Sequence, residues 1–353
     1  MKILVMGAGL IGASIGLSAR QVGHSVELRD IDAQSTQRAQ TVTSLGDKVS
    51  EPDLIVVAVP SHLVGQVVIE AIRSNPNSIV IDVASVKTEV INQVETEIGK
   101  NSKFVPTHPM AGKESSGAHN ASFDLFQDRI WVMTPMPYTD EIAIDTVNDF
   151  IKECGATPVI LESVQHDATV ALTSHVPQVL STLLAAEISK LNENAINVSG
   201  AGLRDMTRLA ASNAELWTGI VNDNSQHIVP ILNSLTSQLQ EFSQSIANAD
   251  VKRVRATFEQ GNAGRRKIPG KHGSPESEYT VVSIMIDDKP GQLAAIFNTA
   301  GIANINIEDV NIDHSLGKAQ AIIELFVRPE VADNLTDAMR QDGWIVRSSS
   351  LTD

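Results

Sequence analysis

Several side chains stand where their type and spacing could do chemistry. His108 opens the run His108-Pro109-Met110-Ala111-Gly112-Lys113-Glu114-Ser115-Ser116-Gly117, just after a short β-like run, Lys103–Val105. Pro109 forces the residue before it into an extended conformation, and the glycines permit an unusual loop path. An imidazole there can take a proton near neutrality, since its ordinary pKa is about 6.5. His175 lies in Thr173-Ser174-His175-Val176-Pro177-Gln178, a mostly apolar stretch, and is either a ligand contact or a hydrogen-bonded core residue. Pro177 marks a helix break or start. Arg204 and Arg208, four apart, share one helical face. Arg208 either holds an anion or pairs with Asp205. Ser85 follows the run Ser78–Ala84 and either caps a helix Val86–Ile98 or meets a ligand. Lys87 is two residues further on, and Trp217 reads as core or interface. No cysteine cluster, H-x-x-E-H or acidic calcium loop occurs, so a metal is not indicated.

A second constellation opens the chain. Gly7-Ala8-Gly9-Leu10-Ile11-Gly12 follows an apolar run, Lys2–Met6, and leads into a helix-like one, Leu10–Val22. In that context Gly7 allows a tight turn, Gly9 lets the backbone approach a pyrophosphate, and Gly12 allows close helix–strand packing. The helix start at Leu10 and Ile11 offers unpaired N–H groups to phosphates. Asp30 ends the next β-like run, where a carboxylate can accept from an adenosine ribose and repel a 2′-phosphate. That favours NAD over NADP. Arg29 beside it keeps NADP open.

These residues need elements to carry them. Residues 1–163 alternate β-branched runs (Lys2–Met6, Ser25–Arg29, Leu54–Pro60, Ser78–Val83, Ile130–Thr134, Pro158–Leu161) with helical stretches. Runs apolar throughout are strands covered on both faces, so an α/β domain with a mainly parallel sheet is expected. Its ligands would bind outside the carboxyl ends of the strands. From 164 to 260 the strand signal stops, and Ala168–Leu191 and Asn213–Ile246 carry apolar residues at helical spacing. An all-helical domain with a core and a dimer face is expected. Gly261–Glu278, with Arg265, Arg266, Lys267 and Lys271, reads as an exposed connector. Residues 279–353 then show βαββαβ order, which is ferredoxin-like.

Composition narrows the classes. The chain has 353 residues, 42% hydrophobic and 20% charged, a globular balance sized for two or three domains. Its single Cys154 excludes a disulfide framework and suits a reducing compartment, hence the cytoplasm. A net charge of −15 makes nucleic acid an unfavourable partner. No apolar run is long enough to span a membrane, and the apolar start is broken by glycines rather than built as a signal peptide.

Taken in order, GAGLIG, DVASVK, HPMAGKESSG, TSHVPQ and GLRDMTRLAASNAELW closely resemble the prephenate/arogenate dehydrogenase family of tyrosine biosynthesis. The tail, with DKPGQLAAIF and NINIEDV, resembles an ACT domain. The resemblance spans nearly the whole chain. It implies a Rossmann-like dinucleotide-binding domain, an all-helical substrate and dimerisation domain, and a regulatory ACT domain. It further implies oxidative decarboxylation of prephenate to 4-hydroxyphenylpyruvate in a homodimer. His108 would be the base or hydrogen-bond acceptor at the C4 hydroxyl, supported by Ser85. His175 would orient substrate or nicotinamide, and Arg208 would hold a substrate carboxylate, with Lys113 and Lys87 in the same field. The ACT resemblance implies that Asp288, Pro290, Gly291, Gln292 and Leu293 bind an amino-acid effector, with tyrosine expected. Arogenate as substrate stays open, as does an inactive NAD and amino-acid sensor. A 3-hydroxyacid dehydrogenase would need a lysine early in the helical domain, whereas Lys190 lies late.

Overall fold

The computed structural model describes residues 1–112, 117–192, 196–268, 279–287, 289–314 and 320–351. They form two compact units, Met1–Ser237 and Gln238–Asp353.

The first unit begins as strand–helix alternation. Strands β1 (Lys2–Met6), β2 (Ser25–Arg29), β3 (Leu54–Val57), β4 (Ile79–Asp82), β5 (Phe104–Pro109), β6 (Ile130–Met133) and β7 (Thr157–Ile160) form one sheet. Helices α1 (Leu10–Gln21), α2 (Ala33–Thr43), α3 (Ser61–Ser74), α4 (Thr88–Ile98) and α5 (Glu141–Glu153) connect them. The strand order is β2-β1-β3-β4-β5-β6-β7. Every neighbouring pair is parallel except β5 with β6. The order reverses between β1 and β3, which is where an open parallel sheet leaves a crevice at its carboxyl edge.

Period-two alternation divides the core. Ile3, Val5, Val56, Ile81 and Val105 face one layer with Ala13 and Ile15 of α1 and Phe150 of α5. Leu4, Ile55, Val57, Val80 and Phe104 face the other with Val64 and Val68 of α3 and Val90 and Val94 of α4. Both faces of the sheet are covered, which is why these strands are apolar throughout.

Three local expectations are corrected. β5 runs on through His108 to Pro109, so His108 stands in a strand and not in a loop after Val105; its register partner is Val132 of β6. Pro106 and Pro109 lack an N–H but sit at extended positions, as Pro prefers. The helix after β4 starts at Thr88 with Lys87 at its N-cap, so Ser85 does not cap it. The connector expected from Gly261 is helical as far as Arg265; the rest of it, with Lys271, lies partly outside the described residues.

The helical part of this unit holds α6 (Ser163–Val170), a π-helical turn (Ala171–His175), α7 (Val176–Ile188), α8 (Ala201–Thr207), a 3-10 turn (Arg208–Ala211) and α9 (Ala214–Asp223). Pro177 sits in the first turn of α7, directly after the π-helical turn. Helix α10 (Ser225–Ala247) crosses into the second unit. There, after α11 (Val251–Arg265), come β8 (Thr280–Asp287), α12 (Gln292–Ile302), β9 (Asp309–His314), β10 (Gln320–Val327), α13 (Pro329–Gln341) and β11 (Ile345–Leu351). The antiparallel order β11-β8-β10-β9 is the ferredoxin-like one. Ile284, Ile296, Ile323, Leu325, Leu335 and Met339 pack its core. No helix among the described residues is long and apolar enough to cross a membrane.

A polar joint lies inside the first core. Lys87 is fully buried; its Nζ donates to Asp82 Oδ2 and, at 2.6 Å, to the carbonyl of Thr107. Thr107 Oγ1 donates to the Asp82 carbonyl at 2.6 Å and accepts from Trp131 Nε1 at 2.9 Å. Strand β5 is thereby pinned one residue before His108. Lys87→Met would leave the Asp82 carboxylate buried without its cation, a loss of about 3–5 kcal/mol. Urea unfolding should show that loss, with much of it recovered when Asp82→Asn is added; an unchanged midpoint in the single variant would contradict it.

Candidate active site

The carboxyl end of β5 presents His108, which is 8% exposed. Its Nδ1 lies 2.9 Å from Nε2 of His166, with the two rings nearly perpendicular at 79°. His166 Nδ1 lies 2.8 Å from Asp167 Oδ1, and both residues are fully buried. Asp167 also accepts from the backbone N–H of Lys87 at 2.9 Å and of Thr88 at 2.8 Å, so this carboxylate of α6 caps α4. Burial alone would raise its pKa. The hydrogen bonds from His166, Thr88 and Lys87 outweigh that and hold it at about 2.

These contacts fix proton positions. A carboxylate only accepts, so His166 Nδ1 carries the hydrogen, and in the neutral ring Nε2 is left as an acceptor. His108 Nδ1–H then donates to it, which leaves a lone pair on His108 Nε2. Burial pushes the His108 pKa well below 6.5, and the neighbouring His166, Lys87 and His175 push the same way against the pull of Asp167. The result is a neutral imidazole with one accepting nitrogen, the form a general base needs.

His175, at the end of the π-helical turn, is 1% exposed. Its Nδ1 lies 2.9 Å from Asn224 Nδ2, and Trp217 stands edge-on to its ring at 6.0 Å. Burial lowers its pKa to about 4, against the pull of Asp167. Arg208 is exposed, at the start of the 3-10 turn after α8. That turn is tied to α7 where Gln178 Nε2 donates to the Leu209 carbonyl at 2.8 Å and Ser181 Oγ accepts from Ala210 N at 3.2 Å. Ser85 is half-buried and lines a cavity of about 520 Å³ with Ser61, His62, Glu89 and Asp223. Lys87 cannot reach a ligand, because it is buried on Asp82. Lys113 and Asp288 lie outside the described residues.

The glycine loop closes on the end of β3. Gly7 has φ +115°, and a Cβ on it would lie 2.2 Å from the Ala58 carbonyl oxygen; one on Gly12 would lie 2.1 Å from the Gly7 oxygen. Beside Gly9, by contrast, no heavy atom of the described residues other than its chain neighbours lies within 4 Å of that position. A bare backbone loop, open on one side and leading into Leu10 and Ile11 of α1, fits a dinucleotide pyrophosphate. Asp30 Oδ2 accepts from Ala8 N at 2.8 Å, so the carboxylate stands against this loop. Arg29 is forked onto Glu27, with Nε–Oε1 at 2.7 Å and Nη2–Oε2 at 3.0 Å. Gln34, Ser35, Arg38 and His119 line a hollow beside Ala8.

In the second unit, Pro290, Gly291, Gln292 and Leu293 lead from β8 into α12, and Gly291 takes the left-handed φ of +89° that glycine favours. Sequence reasoning missed His166, Asp167 and Asn224. The available signal was on α6, whose buried positions include His166 and Asp167 where a core stripe should be apolar.

Comparison with known proteins adds an independent line. The family profile for the prephenate dehydrogenase nucleotide-binding domain matches residues 15–160, and that for the prephenate dehydrogenase dimerization domain matches 162–260. The loop Gly7–Gly12 precedes the first range and rests on its own geometry. A Streptomyces niveus protein described as probable prephenate dehydrogenase NovF is 28% identical over 98% of this chain and 99% of its own. The prephenate dehydrogenase of Lactococcus lactis subsp. cremoris is 26% identical over 90% of this chain and 92% of its own. Among solved structures, Synechocystis arogenate dehydrogenase superposes with a TM-score of 0.64 at 27% identity, covering 76% of this chain and 99% of that one.

The Asp167 pKa carries a stability prediction. It falls from 3.8 to about 2 on folding, so its contribution is present above pH ~4 and is lost as the pH drops toward 2. Asp167→Asn should lower unfolding free energy by about 2 kcal/mol at pH 7 and by progressively less between pH 4 and 2. A deficit that stays constant over that range in chemical unfolding would contradict the assignment.

Proposed function

The chain belongs to the prephenate dehydrogenase family, and on that premise we propose that it oxidises and decarboxylates prephenate to 4-hydroxyphenylpyruvate with NAD. The observation that carries the reading is the buried His108–His166–Asp167 chain, which leaves one basic nitrogen at the carboxyl edge of the sheet.

Bound NAD supplies the hydride acceptor at C4 of the substrate ring. His108 Nε2 takes the proton of the C4 hydroxyl as the hydride leaves, and returns it to that oxygen once carbon dioxide has departed and the ring is aromatic. No net proton is consumed. Aromatisation drives the step, so the protein mainly positions groups and holds charge. Arg208 holds a substrate carboxylate, two-pronged where geometry allows. His175 orients substrate or nicotinamide, Ser85 supports His108, and Lys113 belongs to the same anion-binding field. Gly7, Gly9 and Gly12 with the start of α1 hold the pyrophosphate, and Asp30 takes the adenosine ribose. Arg29 is engaged with Glu27, which supports NAD over NADP.

A second reading has one specific observation behind it: the 27% identical Synechocystis structure is an arogenate dehydrogenase. Arogenate carries an amino group in place of the pyruvyl keto oxygen and asks nothing different of His108. For the assembly we propose a homodimer, supported by the dimerization-domain match and by the exposed Leu172, Leu180, Leu183, Leu184 and Leu216. For the second unit we propose an ACT-type sensor of tyrosine that binds at Asp288, Pro290, Gly291, Gln292 and Leu293. Its ferredoxin-like order and the left-handed Gly291 support this. A cytoplasmic location agrees with the single buried Cys154.

His108→Ala should lower kcat for prephenate roughly 10²–10⁴-fold, while Arg208→Ala should mainly raise KM. Reduced-cofactor absorbance reads both; a near-normal kcat in the first or an unchanged KM in the second would remove that residue from its role. Tyrosine should bind with measurable heat and inhibit turnover. Titration giving neither would reject the sensor assignment.

A further inference from the structure

Asn224 takes no part in the mechanism above, yet it is fully buried beside the site. It follows α9 as its C-cap residue. Its side-chain Nδ2 lies 2.8 Å from the main-chain carbonyl of Asp167 and 2.9 Å from His175 Nδ1. We infer that Asn224 is a positioning residue that fixes which ring nitrogen of His175 carries the proton, so that His175 meets its ligand as a hydrogen-bond donor.

The Asp167 carbonyl orients the amide. That oxygen only accepts, so the group 2.8 Å from it is the amide NH2 of Asn224 and not its oxygen. One N–H is used there. The other is left for His175 Nδ1, which must therefore offer a lone pair. A neutral imidazole with Nδ1 accepting carries its hydrogen on Nε2. The ring is also held in plane: Trp217 stands edge-on at 6.0 Å, and the π-helical turn Ala171–His175 sets the backbone.

The consequence is a division of labour between the two histidines. His108 offers a lone pair, through Asp167's carboxylate and His166. His175 offers an N–H, through Asp167's carbonyl and Asn224. A donor in that position suits a carbonyl or carboxylate oxygen of the ligand and penalises a hydroxyl that needs an acceptor. This rests on the reading of His175 as a ligand contact given above; the proton position itself does not.

The test separates the two. Ring-nitrogen ¹⁵N NMR of the full-length protein, with His175 assigned through His175→Gln, should show Nε2 protonated and Nδ1 bare. In Asn224→Asp a carboxylate replaces the donor, so Nδ1 should become protonated, and KM for prephenate should rise roughly tenfold, the scale of one directed hydrogen bond. Asn224→Gln, which keeps the amide donor, should keep Nδ1 bare. A protonated Nδ1 in the wild-type protein would overturn the inference without any variant having to fold. An unmoved proton in folded Asn224→Asp would overturn it as well, and so would an inverted proton with unchanged KM and kcat. Absence of prephenate turnover in the wild type would instead count against the proposed reaction and leave the ring-nitrogen result standing.

Discussion

A carboxylate kept ionised out of water is the constraint on which this structure turns. Asp167 sits in α6 with no exposure, and burial works against its charge. It stays charged because it takes the first free N–H groups of α4 and the Nδ1–H of His166. The N-terminal end of a helix favours a negative charge, and the capping bonds satisfy donors that would otherwise be buried unpaired. The same contacts fasten the first helix of the helical part to the sheet layer. A change at this residue is therefore felt in packing and in chemistry together.

Lys87 connects that carboxylate to the layer beneath. Its backbone N–H goes to Asp167, and its ammonium goes to Asp82 and to the carbonyl of Thr107. The residue after Thr107 is His108. Strand β5, helix α4 and helix α6 are thus joined by the buried Lys87–Asp82 ion pair and by the two capping bonds to Asp167, beside the proposed base His108. The ammonium also adds to the burial that holds His108 neutral. Rigidity and an unprotonated ring come from one arrangement, which suits a reaction in which the protein must place a nitrogen and keep its lone pair free.

Much of this was legible in the sequence, for physical reasons. Strands covered on both faces must be apolar throughout, so Lys2–Met6 and Leu54–Val57 announce a parallel sheet. Gly7 and Gly12 mark backbone that nothing larger could replace, Gly9 marks the open side of the same loop, and Asp30 is found by its distance from them. His108 is visible because Pro109 makes its backbone extended. What stayed hidden depends on contacts between residues far apart in the chain. His108 and His166 are separated by 58 residues, and Asn224 and Asp167 by 57. Neither periodicity nor local propensity reports such pairs. Ser85 shows the opposite error: its position before a helix suggests a cap, but the cap arrives from Asp167 in another part of the chain.

The proposed chemistry requires His108 to be a neutral base. In the free enzyme its accepting nitrogen is lost only when the ring is protonated, and burial places that event well below pH 6.5. The direct measurement is kcat/KM for prephenate with saturating NAD as a function of pH. It should hold level as the pH falls through 6.5 and decline only well below it. A half-maximum at or above 6.5 would contradict the buried relay as the source of the base.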